Sequence, residues 1–88
     1  MSYTLEVGPQ AKKILKGLGR DVIKRLEKRL VELSQSPLDP RLSKPVKMSP
    51  GRRTSRVGDW RIIYRVNETD LIVFVLAICP RDKAYPKN

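Results

Sequence analysis

Nine consecutive apolar residues, Leu71-Ile72-Val73-Phe74-Val75-Leu76-Ala77-Ile78-Cys79, constrain this chain more than any other segment. The run is apolar at both parities and rich in β-branched side chains, so Leu71–Ile78 reads as a central strand covered on one side by helices. It is too short to span a bilayer as a helix. The segment before it, Trp60–Val66, alternates: Trp60, Ile62, Tyr64 and Val66 point one way, Arg61, Ile63 and Arg65 the other. Asn67-Glu68-Thr69-Asp70 supplies the turn between these two strands, and Gly58-Asp59 a tight turn back to a third, Arg53–Val57.

Upstream, Tyr3–Val7 alternates with period two and is broken by Gly8-Pro9. Ala11, Ile14, Leu15 and Leu18 then recur at helical spacing. After a break at Gly19, a longer helix is expected from Asp21 to Ser34, with Val22, Ile23, Leu26, Leu30 and Leu33 as its buried stripe. Lys24, Arg25, Lys28, Arg29 and Glu32 form its solvated face. Four prolines between Ser36 and Gly51 exclude a regular helix and leave a connector, with one short strand expected around Val46-Lys47-Met48. The pattern predicts a single α+β domain over residues 1–88. Two N-terminal helices pack on a small antiparallel sheet in the order β-α-α-β-β-β.

The chain has 19 Lys and Arg against 9 Asp and Glu, a formal net charge of +10. Arg41, Lys44, Lys47, Arg52, Arg53 and Arg56 concentrate the field in the middle of the chain against Asp39 and Asp59 alone. A polyanionic ligand, an acidic protein partner, or both are implied. With 88 residues only ~60–65% of the unfolded surface can be buried, so a partner should add to stability. Cys79 cannot form an internal disulfide and is expected to serve as a small buried hydrophobe in a cytoplasmic protein. Met1-Ser2-Tyr3 leads directly into a strand, and no signal peptide or membrane association is expected.

Chemistry on this scaffold is bounded by the absence of histidine. That excludes Ser/His/Asp and Cys/His catalysis, and no zinc ligand set or Gly-rich phosphate loop is present, so no metal or cofactor is expected. The remaining candidates are arginine, tyrosine and lysine. Arg61 and Arg65 should lie on the open face of the sheet, with Arg53 and Arg56 from the neighbouring strand and Arg81 and Tyr85 folding back over it. Arginine's planar fork holds two phosphate oxygens at once. Cleavage of a phosphodiester by its own 2′-hydroxyl needs proton removal, phosphorane stabilisation and proton donation. A tyrosine or lysine whose pKa is lowered by nearby cations can take the first role and arginine the second. The competing reading is a set of ordinary surface arginines paired with Asp59, Glu68 or Asp82.

Arg56-Val57-Gly58-Asp59-Trp60-Arg61-Ile62-Ile63-Tyr64 is similar to the Arg-Leu-Gly-Asp-Tyr-Arg-Val-Ile-Tyr segment of the RelE/ParE toxin superfamily. Together with Pro80-Arg81-Asp82-Lys83-Ala84-Tyr85 and the order of elements, the chain resembles the RelE branch over nearly its whole length. The resemblance implies a toxin of a type II toxin–antitoxin system that acts as an mRNA interferase. Such an enzyme enters the ribosomal A site and cuts mRNA there, leaving a 2′,3′-cyclic phosphate. It also implies a cognate antitoxin, acidic in its binding region. By motif, Arg61 would stabilise the phosphorane, Arg81 would clamp the phosphate or act as acid, and Tyr85 would orient or deprotonate the 2′-hydroxyl. Arg56 stands where relatives often have lysine, and Arg52 or Arg53 stands in for a second one. Arg52, Arg53, Arg65, Lys47 and Lys83 are the expected RNA contacts. Two other readings use the same scaffold: a ParE-like inhibitor of DNA gyrase, and a degenerate toxin that binds RNA without cutting it.

Overall fold

A computed structural model describes residues 2–80. Strand β1 (Thr4–Val7) leads into helices α1 (Pro9–Gly17) and α2 (Arg20–Gln35), and strands β2 (Lys44–Pro45), β3 (Arg52–Val57), β4 (Trp60–Asn67) and β5 (Ile72–Pro80) follow. The architecture is α+β, two helices against a five-stranded sheet of order β1-β5-β4-β3-β2. The predicted antiparallel meander forms: β3 pairs with β4, and β4 with β5. The sheet as a whole is mixed, however, because β1 lies parallel to β5, placing Leu5 beside Val73 and Val7 beside Val75. The short strand of the connector is Lys44–Pro45, not Val46–Met48, which falls in the loop closing the β2–β3 hairpin.

The helical stripes bury as their spacing requires. Leu26, Leu30 and Leu33 of α2 and Ala11 of α1 meet Ile62, Tyr64, Val73, Val75 and Ile78 of the sheet. Each fully buried leucine contributes about 1.5–3 kcal/mol. Val73, Val75 and Ile78 are not evenly spaced. A register shift on β5, where Ile63 opposes Ala77 but Tyr64 opposes Val75, leaves Leu76 as an extra residue. This bulge resets the phase of the strand, so Ile78 reaches the core and Cys79 turns to the other face.

Side chains and backbone complete the edges. Where β1 ends, the Gln10 carboxamide takes its place against β5, donating to the Ile78 carbonyl at 3.2 Å and accepting from the Ile78 N–H at 3.0 Å. Gly8 is buried between the two, its N–H donating to the Val75 carbonyl at 2.9 Å. A methyl on Gly8 would stand 3.0 Å from that backbone oxygen and 3.3 Å from the Phe74 ring. Gly8→Ala is therefore expected to destabilise the fold by about 1–3 kcal/mol, read as a fall in the urea midpoint. The turn between β3 and β4 places Gly58 at φ +59°, open to glycine at no steric cost. At the other turn Asn67 Oδ1 accepts the Asp70 N–H at 2.9 Å.

Two buried polar clusters bind the connector to this framework. The Tyr64 hydroxyl, fully buried, donates to the Pro37 carbonyl at 2.6 Å and lies 2.6 Å from Ser43 Oγ. The Arg29 guanidinium, from α2, donates to Ser55 Oγ at 2.8 Å and to the Arg56 carbonyl at 3.0 Å, while Ser55 Oγ donates to the Leu42 carbonyl at 2.7 Å. Arg29 thereby supplies a donor to the stretch of β3 edge that β2 is too short to cover. Among the described residues no helix is long and apolar enough to cross a membrane.

Candidate nucleic-acid interface

Cross-strand neighbours share a face, so the register assigns the paired residues of the sheet. The face away from the helices carries three rows. Arg56 opposes Arg61, which opposes Cys79; Lys44 opposes Thr54, then Ile63 and Ala77; Arg52 opposes Arg65, then Phe74 and Glu6. Successive rows are two residues apart along β3, about 7 Å. Arg61 and Arg65 thus lie on the open face as the alternation requires, and Arg52 and Arg56 join them.

Arg53 does not. The two-residue turn makes Val57 oppose Trp60, so Arg56 opposes Arg61 and Arg53 opposes Tyr64 on the helix side. There its Nε donates to Ser43 Oγ at 2.9 Å and its Nη2 to the Ser43 carbonyl at 3.2 Å. Arg53 holds the connector and is not on the open face. Lys47 is exposed on the β2–β3 loop, off the sheet. Arg81, Lys83 and Tyr85 lie outside the described residues.

Among the described residues, ion pairs join Arg29 to Glu32 and Arg41 to Asp39. Hydrogen bonds from the Arg41 guanidinium and N–H hold the Asp39 carboxyl below its ordinary value. Cys79 is half-buried beside Arg61 and not in the core; burial pushes its thiol up, which disfavours a thiolate nucleophile at neutral pH. Trp60 packs against the core, at its edge.

An open groove of about 300 Å³ runs off the Arg56–Arg61 row towards the connector. Arg29, Arg41, Lys44, Arg56 and Arg61 line it together with Thr54, and among the described residues no carboxylate does. Thr54 and Arg29 are absent from the site residues expected from sequence, and Lys44 enters there only as part of the basic middle of the chain. Lys44 follows a buried serine in a proline-bearing connector, where no periodicity assigns a face.

The chain is matched at family level. The model of the ParE toxin of type II toxin-antitoxin system, parDE, matches residues 5–85. The chain belongs to that family. Among solved structures this toxin is similar to the RelBE2 toxin–antitoxin complex of Mycobacterium tuberculosis, at 25% identity and TM-score 0.81, over 92% of this chain and 100% of that one. It is similar to the archaeal RelE–RelB complex of Pyrococcus horikoshii OT3, at 27% identity and TM-score 0.77, over 96% and 100% of the two chains. The intact E. coli RelBE toxin–antitoxin complex matches at 26% identity and TM-score 0.79, over 90% and 96%. No curated protein sequence matches the chain. The toxin is a RelE-like member of the RelE/ParE superfamily.

Proposed function

We propose that this toxin is a ribosome-dependent mRNA endonuclease that cuts in the A-site codon by attack of a ribose 2′-hydroxyl on the adjacent phosphate. One observation carries the reading: two arginine pairs, Arg56/Arg61 and Arg52/Arg65, stand directly opposite one another on the same face. Guanidinium groups gathered on one face suit a polyanion, because each planar fork can hold two phosphate oxygens. Arg61, with Arg56 beside it, stabilises the negative charge that develops on the phosphorane. An arginine makes a poor general base, so proton removal is assigned to Tyr85. Arg81 clamps the phosphate or protonates the leaving oxygen. Tyr85 and Arg81 enter by motif alone. Orientation of the 2′-hydroxyl against the phosphate by the ribosome-held codon supplies the remaining acceleration. A cognate antitoxin with an acidic segment would mask the same face.

Primer extension on a defined mRNA, with and without programmed ribosomes, tests the reading. Cuts inside the A-site codon only in the presence of ribosomes are expected. A folded, growth-arresting protein that cuts in neither lane would overturn it. That result would favour the second reading, gyrase inhibition, which the ParE family match supports and a supercoiling assay identifies.

A further inference from the structure

Among the described residues, one buried side-chain oxygen lacks a hydrogen-bond partner, and it lies in the middle row of the open face. Thr54 is 3% exposed, and its Oγ1 is buried without a hydrogen-bond partner. A buried hydroxyl left unpaired is destabilising, and native structures contain few. Thr54 lines the basic groove, and Lys44 stands directly opposite it on β2, exposed and outside every ion pair between described residues. Arg41 borders the same groove, its charge shared with Asp39.

From this arrangement we infer that Lys44 and Thr54 form a second phosphate subsite, which binds the phosphodiester next to the one held at Arg56 and Arg61. The spacing supports it. The two rows are about 7 Å apart, comparable to the separation of successive phosphates along an extended single strand. Lys44 supplies a point charge and Thr54 a hydroxyl donor that gains its missing partner when the strand is bound. An RNA strand would then run along β3, crossing one phosphate per row. Its bases would lie toward the apolar patch of Ile63 and Ala77.

The inference deepens the RNA-cleavage reading and rests on it for the identity of the strand. It is tested without cleavage, by NMR titration with 2′-O-methyl dinucleotides and trinucleotides lacking terminal phosphates, at several salt concentrations. These carry one and two phosphodiesters and cannot be cut. The trinucleotide should show a slope of log affinity against log salt steeper by about 0.7, the single-strand value for one further phosphate. In Lys44→Met the two slopes should coincide. Thr54→Val should weaken the trinucleotide several-fold while raising the melting temperature of the free protein, because it removes an unsatisfied hydroxyl at nearly constant volume.

Coincident slopes in the wild type, or a Thr54→Val variant that melts lower, would overturn the subsite. So would a Lys44→Met variant that keeps the slope difference and loses only antitoxin affinity, which would assign the groove to a protein carboxylate. Slopes that differ in a protein that cuts no message would leave the subsite standing and sink the cleavage reading alone.

Discussion

Arg61→Ala is expected to lower single-turnover cleavage on programmed ribosomes by about 10²–10³-fold, the usual loss when one donor to a developing anion is removed. Arg61 sits midway along the Arg56–Arg61–Cys79 row, so a phosphate at this row meets guanidinium groups from two strands. Arg61→Lys should recover only part of the loss, because an ammonium lacks the planar fork that grips two oxygens. Growth arrest on induction should fall in parallel, as it should for Arg81→Ala and Tyr85→Phe. A purified Arg61→Ala protein with native circular dichroism and undiminished cleavage would remove Arg61 from the chemistry.

The second large effect is on stability and belongs to Tyr64. Its ring is fully buried in the core, and its hydroxyl holds Pro37 and Ser43 of the connector. Tyr64→Phe keeps the ring but leaves the buried Pro37 carbonyl only the 3.5 Å contact from Ser43 Oγ, at a cost of about 1–3 kcal/mol. Tyr64→Ala adds a cavity and should cost about 3–5 kcal/mol, comparable to much of the ~5–15 kcal/mol that holds a typical domain together. For a domain of this size each kcal/mol shifts the melting temperature by about 4–8 °C. The phenylalanine variant should therefore melt visibly lower, and the alanine variant should lack a cooperative transition unless antitoxin is bound. Two unchanged melting curves would show that the connector is held elsewhere. The connector carries Lys44, so this buried phenol also sets one edge of the basic groove.

Much of this was legible before any coordinates. The stripe Leu26, Leu30, Leu33 declared a helix face, and the alternation of Trp60–Val66 put Arg61 and Arg65 on the side away from Ile62 and Tyr64. Arg53 is instructive because its placement was within reach. A two-residue turn at Gly58-Asp59 makes Arg56 oppose Arg61, and counting back by twos selects Arg52 and Thr54, not Arg53. The bulge at Leu76 was not within reach: in a run apolar at both parities, no residue marks where the phase slips. Cys79 was consequently expected in the core and stands beside Arg61 instead.

Local periodicity thus determined which elements form and which side of each is buried, because burial acts on neighbours two or three to four residues apart. The parallel docking of β1 on β5, the short β2 strand that brings Lys44 opposite Thr54, and the turn of Cys79 towards Arg61 were decided only by the tertiary structure. Those depend on hydrogen bonds between segments distant in sequence, and a strand's own residues carry no record of which partner, direction or register will satisfy its backbone.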